Sequence, residues 1–478
     1  MLTIFDSRRA FGRRAFLRVG GAALGSLWGA GALGGSTLSR LWGAELAGQP
    51  RLFTGKSVIF LFLHGGPSQF ETFDPKMTAP DGIRSATGEI ATALPGVTFG
   101  PNFPRLAALA DRLAIVRSFT TGDANHDIKP IVGRATRGAN LGSLFARIVG
   151  PGGTASGMPP NMLLVPRAVD PEAGPHQTQF GRFDATGDLG AAVAPLIPGA
   201  GNDFQRDLEL SFSPARLDDR RAVLAALDRA RWNFDATQSL GSESPRQFSA
   251  DPLRERAFAT LLSGEMARAF DLSREDPRVV ARYDTAPLGR PDQIDRKWNN
   301  YPHYVDNAKT LGKLLLLARR LCEAGSGFVT VTTNFVWDMH ADVNNATMVE
   351  GMRYTAPPLD HAVSALVEDL AQRGLDEQIL LVCCGEMGRT PRINASGGRD
   401  HWGNLAPLLL AGGGLRMGQV IGRSTRDGGA PHSEPIENQH LVATVLQTLV
   451  DPLALRTVRG LPDPIVQAAN GDAIPGLA

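Results

Sequence analysis

The chain has 478 residues, of which 43% are hydrophobic and 20% are charged, as is typical of a soluble globular protein. This length predicts two or three domains, or one large α/β domain with insertions. The formal net charge is +1, so the sequence gives no electrostatic reason to expect a nucleic acid or an anionic surface as a partner.

The cysteine content excludes a disulfide framework. Only Cys322, Cys383 and Cys384 are present, and the last two are adjacent within an apolar run. Neighbouring side chains in a strand point to opposite faces, which is poor geometry for a mutual disulfide. We therefore predict three buried free thiols.

The N-terminal residues 1–47 are predicted to be an export signal and linker. The paired Arg13 and Arg14 precede Phe16 and a glycine- and alanine-rich apolar run, which is typical of a twin-arginine signal. The alternative is a membrane anchor, but the apolar run over 19–33 is short and glycine-rich, so we expect no stable transmembrane span. The sequence predicts transport by the twin-arginine translocase, cleavage near Ala44 to Ala47, and a periplasmic or secreted protein.

The rest of the chain, 48–478, begins with strand-like and then irregular sequence. The apolar run Val58–Leu63 and the run Leu113–Phe119 are predicted strands. The sequence after the second run is predicted to lead into a helix that begins near Pro130. Residues 150–300 are rich in Gly, Pro, Asp and Arg, which predicts an inserted cap of helices and long loops, including a helix over 217–235.

Helices and strands then alternate regularly. Helices are predicted at Ala308–Gly325, at "PLDHAVSALVEDLAQRGL" and at "IENQHLVATVLQTLV", and strands at "GFVTVTTNF", "EQILLVCC" and "APLLLAGGG". This alternation predicts an α/β fold with a large, doubly wound, mostly parallel sheet and helices on both faces.

Histidines and carboxylates cluster just past four of the predicted strands, where ligands bind in such a sheet. The histidines are His64, His126, His340 and His401, and Asp123, Asp338, Glu386 and Asp400 are among the nearby acids. Imidazole with carboxylate suits Zn, Mn or Fe, and carboxylate alone suits Mg or Ca. A single His–Asp pair is commonly a structural hydrogen bond, but four at one sheet edge predict a metal or anion site.

Several common active sites are excluded by their missing motifs. The sequence has no GxSxG nucleophile elbow, no Walker loop and no CxxC pair. His432, in a loop rich in Gly and Pro, is a further histidine that the site could include.

The site motifs also resemble a known family. The segments "HGGPSQFETFDPK", "GDANHD", "WDMH", "GEMGRTPRIN" and "GRDHW" resemble domain-of-unknown-function family 1501, whose members are twin-arginine-exported bacterial proteins similar to sulfatases. That family in turn resembles the alkaline phosphatase superfamily. The resemblance implies an alkaline phosphatase/sulfatase-like fold with metal ligands at the strand ends.

The resemblance implies site residues only in part. His64 stands where the superfamily usually has an aspartate, and Glu386 stands where Asp-His is common, whereas Asp338, His340 and His401 look like the superfamily's ligands. The nucleophile loop "GDANHDIKP" has no hydroxyl or thiol. Three possibilities remain: direct attack by a metal-bound hydroxide, a histidine nucleophile, or binding without turnover.

The resulting hypothesis is an exported hydrolase of sulfate or phosphate esters, including those of a sulfated or phosphorylated polymer, with Zn, Mn, Ca or Mg as its metal. The alternative is a non-catalytic exported binding or surface-assembly protein on the same fold. The predicted metal ligands are His64, Asp338, His340, Glu386 and His401. The predicted catalytic residues are His126, His401 and Arg389, and the residues expected to support them or contact the substrate are Asp123, Asn125, Arg399 and Asp400.

The arginines of this segment have a second interpretation. Arg389 and Arg399 match the geometry of an oxyanion and are expected to receive it. Alternatively, Arg389, Arg392 and Arg399 pair with Glu386 and Asp400 in a buried ion network that orders the loop.

Overall fold

A computed structural model describes residues 51–150, 154, 156–199 and 264–477, together with the backbone of two short strands at 4–6 and 9–11. Arg13, Arg14, the predicted cleavage site and the predicted helix over 217–235 lie outside the described residues. Within the described part of the chain, no helix is both long enough and apolar enough to cross a membrane.

Fifteen strands occur in the described residues, and most of the central ones are apolar and fully buried. In chain order they are Ile4–Asp6 (β1), Arg9–Phe11 (β2), Ser57–Phe62 (β3), Ile90–Ala91 (β4), Thr98–Phe99 (β5), Ala114–Val116 (β6), Phe119–Thr120 (β7), Asn161–Leu164 (β8), Phe328–Thr332 (β9), Ile379–Cys384 (β10), Gly388–Ile393 (β11), Arg399–Trp402 (β12), Leu408–Gly412 (β13), Gln419–Ile421 (β14) and Ile436–Glu437 (β15).

Seven of these strands form the central sheet, in the order β14-β6-β13-β10-β3-β9-β8. Strand β13 runs antiparallel to both of its neighbours, and every other pair is parallel. The predicted mostly parallel sheet is therefore confirmed, with one strand reversed. Because β13 is reversed, its first residue lies at the edge where the other six strands end.

The helices pack on both faces of this sheet. They are Pro104–Ala108 (α1), Leu141–Val149 (α2), Glu265–Phe270 (α3), Pro277–Arg282 (α4), Tyr301–Glu323 (α5), Met348–Arg373 (α6), Asn438–Leu449 (α7), Pro452–Leu455 (α8) and Asp463–Ala469 (α9).

The two faces of the sheet bury separate hydrophobic cores. Alternate residues of β3 show this, because Ile59 and Leu61 pack with α5 and α6, whereas Phe60 and Phe62 pack with α2 and α7. Helix α6 ends where predicted, at Gly374 in the left-handed conformation. The three cysteines are free and buried, as predicted.

Two details differ from the sequence analysis. The helix after the second strand begins at Leu141 and not near Pro130, because residues 121–133 form irregular turns. Strand β8, Asn161–Leu164, is an edge strand of the central sheet, so the start of the segment 150–300 belongs to the sheet. That the rest of the segment is a cap stays a prediction.

Candidate metal centre

Three side chains from separate loops converge beyond the carboxyl ends of the strands. His126 follows β7, Asp338 follows β9, and His401 lies in β12. His401 Nε2 lies 2.9 Å from His126 Nε2 and 3.0 Å from Asp338 Oδ1, and His126 Nε2 lies 3.5 Å from the same oxygen. These atoms all lie within 4.8 Å of one another, which is compatible with one metal ion between them.

Glu386, two residues after the end of β10, orients the ring of His126. It contacts the Nδ1 side of the ring, whereas Nε2 is the atom that lies near His401. The carboxylate is fully buried, and its Oε1 lies 3.0 Å from His126 Nδ1. Both carboxylate oxygens also accept the backbone N–H of Gly65, at 2.9 and 3.1 Å. An ionised carboxylate only accepts hydrogen bonds, so Nδ1 carries a proton and Nε2 faces His401 and Asp338. Glu386 was predicted to be a metal ligand; the structure places it against Nδ1 of His126 and outside the group of three converging side chains.

Asp338 is the buried charge at the centre of the group. Burial raises its pKa, but the Arg389 guanidinium and hydrogen bonds with His126, His340 and His401 outweigh burial and hold the pKa well below its usual range. Asp338 is therefore ionised at every physiological pH. An ionised carboxylate in this position attracts a cation or protonated imidazoles.

The second oxygen of Asp338 has its own partners. Oδ2 lies 2.9 Å from His340 Nε2 and accepts Asn345 Nδ2 at 3.0 Å. The hydrogen bond with Asp338 raises the pKa of His340. Burial lowers the pKa of His126, but its hydrogen bonds with Asp338 and Glu386 outweigh burial and raise it. Both shifts favour the protonated form of the imidazole beside the Asp338 carboxylate.

His64 is close to the centre but is not joined to it by a hydrogen bond in the described part of the chain. Its ring is buried against the edges of Phe62, Phe183 and Phe335, and its Nε2 has no hydrogen-bond partner. Burial lowers the pKa of His64 to about 4, so the imidazole is neutral. The structure therefore does not group His64 with the three converging side chains.

Glycines allow the site loops to approach one another closely. Gly65 has a φ of +114°, and a Cβ built on it would lie 2.5 Å from the backbone nitrogen of Asp338. A Cβ on Gly398 would lie 2.3 Å from the carbonyl carbon of His340. Any side chain at these positions would push apart the loops that carry the candidate ligands.

The segment 385–404 forms a β-hairpin, in which β11 and β12 pair and Arg389 lies opposite His401. Arg389 is fully buried, and its Nη2 donates to Asp338 Oδ1 at 2.6 Å. Its other nitrogens donate to the carbonyls of Gly66 and Arg399. The expectation that Arg389 receives an anionic substrate is therefore not supported, because the guanidinium is already bonded to protein oxygens.

Arg399 is buried in the same way, but with a different partner. Its Nη2 donates to Glu71 Oε1 at 3.0 Å and to the carbonyl of Arg84 at 2.9 Å. The ion-network interpretation thus describes Arg389 and Arg399 better than anion binding does. Their carboxylate partners are Asp338 and Glu71, and not Glu386 and Asp400.

The other predicted supporting residues lie at the rim of the site. Asp123 accepts Lys129 Nζ at 2.6 Å; burial raises the pKa of Asp123, but the hydrogen bonds from Lys129 and Asn125 and the Lys129 charge together outweigh burial and lower it. Asn125 is exposed and donates its backbone N–H to Asp123, and Asp400 is exposed and accepts Asn394 Nδ2. None of these contacts involves a histidine ring, so the geometry does not support the expectation that Asp123 and Asp400 orient the histidines.

Three further residues at the site were not predicted. Asn345 supports Asp338, and the Phe335 ring lies 4.7 Å from that of His126. Phe335 stacks on Phe180 at 4.5 Å, which places an aromatic wall beside the centre. The sequence signal for Asn345 and Phe335 was their closeness to "WDMH", whereas Phe180 lies far from that motif in the chain. His432 is exposed, and its described hydrogen bond is with Arg423.

Comparison with known proteins gives one family and several distant structures. The family model "Protein of unknown function (DUF1501)" matches residues 55–475, and no curated protein matches the chain. The phosphonate monoester hydrolase SpPMH from Silicibacter pomeroyi is 11% identical, covering 82% of this chain and 73% of its own, with a TM-score of 0.32. The PsFucS1 sulfatase from Pseudoalteromonas sp. is 12% identical, covering 82% and 67%, with a TM-score of 0.35. Structural similarity at these TM-scores gives no basis for assigning a function to the chain.

Proposed function

The chain belongs to the DUF1501 family, as its motifs predict, and we propose that it is a hydrolase of sulfate or phosphate esters that uses a divalent metal ion. The observation that carries this proposal is the convergence of His126, Asp338 and His401 from three loops at one sheet edge. Three protein ligands leave coordination positions open for a water and a substrate oxygen, which is typical of catalytic rather than structural metal sites.

The chemistry of the donor set fits a metal. Two imidazole nitrogens face each other at 2.9 Å beside one carboxylate oxygen, and Glu386 holds His126 in the tautomer that a ligand needs. Two imidazoles with one carboxylate favour Zn or Mn over Ca or Mg among the predicted metals. A divalent ion bound there would polarise the oxygens of a sulfuryl or phosphoryl group as a Lewis acid.

The chain's own groups prepare the site for that role. Arg389 and Asn345 fix the two oxygens of Asp338, so the carboxylate keeps its orientation and its charge. Phe180 and Phe335 pack against His126 and exclude water from one side of it. With no hydroxyl or thiol in the "GDANHD" loop, we favour direct attack by water over a covalent intermediate, and His126 and His401 as ligands rather than nucleophiles.

The proposal is tested by metal analysis and by an activity panel. Protein purified from metal-replete cells is expected to carry a transition metal, and to hydrolyse at least one aryl sulfate, phosphomonoester or phosphodiester. His401→Ala is expected to lower both metal content and turnover by at least about 100-fold, which matches the loss of a direct interaction in catalysis. His432→Ala, at an exposed histidine outside the site, is the matched control.

The second candidate function is binding without turnover, which the missing hydroxyl or thiol nucleophile favours. This candidate would be supported if the protein binds metal in a way that depends on His401 but hydrolyses none of the esters in the panel. Protein without stoichiometric metal would reject both, since both use the same centre.

We also propose that the protein is exported by the twin-arginine translocase and acts in the periplasm or outside the cell on a sulfated or phosphorylated polymer. The basis is the Arg13-Arg14 pair before a weakly apolar run. Lysine at both positions is expected to retain the precursor in the cytoplasm, as measured by cell fractionation. Normal export of that double variant would reject this route.

A further inference from the structure

A group of buried polar side chains lies next to the candidate centre without forming the hydrogen bonds that burial requires. Asn334, which follows β9, is 1% exposed, and neither its Oδ1 nor its Nδ2 has a partner. Asn307 of α5 is equally buried, with Nδ2 unpaired, and Nδ1 of His303 is also unpaired. Buried polar groups are nearly always bonded, so several unpaired atoms in one region indicate a function other than stability.

The fold brings these side chains together. His303, Asp306 and Asn307 lie within one turn or so of α5, and His303 and Asn307, four residues apart, share a face. Asp306 Oδ2 accepts the backbone N–H of Gly174 at 2.9 Å, and a Cβ on Gly174 would lie 3.9 Å from Asn334 Nδ2. We call Asn334, Asn307, His303 and Asp306 the polar layer.

The polar layer adjoins the candidate metal centre through an aromatic wall. Asn334 directly precedes Phe335, whose ring contacts both His126 and Phe180. Phe180, six residues after the Gly174 that contacts Asp306, completes this wall. The two groups are therefore neighbours at the same sheet edge.

A surface loop covers the polar layer. Among the described residues, 174–180 contact the rest of the protein through two hydrogen bonds: Gly174 with Asp306, and Gln177 with His303 at 3.5 Å. At its end, the Phe180 ring stacks on Phe335 and also contacts the rings of His126 and His64. Few contacts hold this loop, so its displacement is easier than that of the sheet beneath it.

We propose that the polar layer is a binding subsite for a polyhydroxylated group, such as a sugar ring, on the ester substrate. Asn334 offers a donor and an acceptor, Asn307 a donor, and Asp306 an acceptor, and hydroxyl groups both donate and accept. The layer contains a single carboxylate and one histidine, so a neutral ligand matches it better than a strongly charged one. Phe180 adds an aromatic surface beside these polar atoms. This inference rests on the proposed function, because it assigns the polar part of that enzyme's substrate.

The test measures sugar binding and does not depend on turnover. The full metal-loaded protein is mixed with millimolar D-glucose, D-galactose, D-mannose or L-fucose, and saturation-transfer NMR detects bound sugar. Tetrahydropyran-2-methanol, which has the ring but one hydroxyl, is the control ligand. At least one sugar is expected to receive saturation, and the control ligand is not.

Variants assign the binding to the polar layer. Asn334→Leu keeps similar volume and removes both unpaired atoms, so it is expected to weaken sugar binding at least tenfold without lowering Tm. Gln177→Ala, on the surface loop, is expected to weaken binding severalfold and keeps the test valid if Asn334→Leu fails to fold. His432→Ala is the matched control and should bind like the native protein.

The outcomes separate this inference from the proposed function. Sugar binding that survives His401→Ala but not Asn334→Leu supports the subsite even if no ester is hydrolysed. If no sugar in the panel binds, or if Asn334→Leu and Gln177→Ala both bind sugar as the native protein does, the inference is overturned and the polar atoms hold ordered water only. If the protein hydrolyses an ester but gives this result, the proposed hydrolase function stands and the proposed sugar subsite is rejected.

Discussion

Two clusters of buried charge among the described residues differ in the type of cation that faces their carboxylates. In the distal cluster, Arg319 and Arg320 of α5 donate to Glu275 at 2.7 and 2.9 Å, and Arg373 of α6 donates to Glu275 at 2.7 Å and to Asp369 at 3.0 Å. These guanidinium groups are always protonated and have no lone pair for a metal. The distal cluster therefore joins α5 to α6 through ion pairs.

The candidate metal centre instead surrounds Asp338 with imidazoles. Arg389 is its single guanidinium in the described contacts, and His126, His340 and His401 all approach the same carboxylate. Imidazole loses its proton near neutral pH and then offers a lone pair. The comparison teaches that dense buried charge alone does not mark a functional site, and that the chemical type of the donors does.

Asp338→Ala should give the largest effect, because it removes a candidate ligand and leaves the buried Arg389 without its carboxylate. We expect a loss of about 3–5 kcal/mol in the free energy of unfolding. Metal content should fall to background. Urea unfolding and elemental analysis by mass spectrometry measure the two effects, with His432→Ala as control. Native metal content in Asp338→Ala would remove Asp338 from the centre.

Arg319→Met should destabilise the protein to a similar degree but leave metal binding intact. Arg319 is 1% exposed, and its loss strips Glu275 and Asp369 of a buried partner. The expected cost is again about 3–5 kcal/mol, measured by urea unfolding. Arg278→Met, at an exposed position on α4, is the control. A parallel loss of metal affinity would mean that the two clusters are coupled.

Acid should weaken the distal cluster over a defined range of pH. Burial raises the pKa of Glu275, but hydrogen bonds and charges from Arg319, Arg320 and Arg373 outweigh it and lower the pKa from 4.5 to about 2. The ionised form is favoured in the folded state, so its contribution is present above pH 4.5 and is lost as the pH falls through about 2. We expect the loss to be about 2–3 kcal/mol.

Glu275→Gln is the comparison for that measurement. Its free energy of unfolding should be lower than that of the native protein at pH 6, and should fall less steeply between pH 4.5 and 2. Equal slopes in the two proteins would show that Glu275 does not account for acid sensitivity in this range.

Glu386→Gln should give the smallest effect, because Glu386 orients a ligand and does not itself hold the metal. Glutamine keeps an oxygen for the Gly65 N–H but loses the charge beside His126. We expect metal affinity to fall about 10- to 100-fold, measured by competition with a chromophoric chelator. Glu434→Gln, at an exposed position, is the control. Complete metal loss, as expected for Asp338→Ala, would make Glu386 a direct ligand.

Much of the fold could be predicted because its signals are local. Helix α6 combines helical spacing of apolar residues with a terminal glycine, Gly374, and β10 is a short apolar run between polar segments. The reversal of β13 could not be predicted, because a uniformly buried apolar strand has no feature that marks its direction. The helix start near Pro130 was wrong because the turns of 121–133 are held by contacts distant in sequence, such as that of Thr121 with Gly403.

The candidate site could be predicted as a location but not as a set of partners. The rule that ligands lie beyond strand ends predicted that His126, Asp338 and His401 would lie at one edge of the sheet. The partners of Arg389 and Arg399 depend on which carboxylates the fold places nearby, and those carboxylates, Asp338 and Glu71, lie far away in the chain. Residue type and spacing along the chain contain no such information.

The reversed strand β13 has a consequence for assembly. Cys384 at the end of β10 pairs with Leu408 at the start of β13, so residues 385–407 leave the sheet and return to it between adjacent strands. This one excursion carries both Glu386 and His401. Closing so short a loop costs little chain entropy. One of the three candidate ligands, His401, and the carboxylate that orients His126 can therefore be placed together by a single local hairpin.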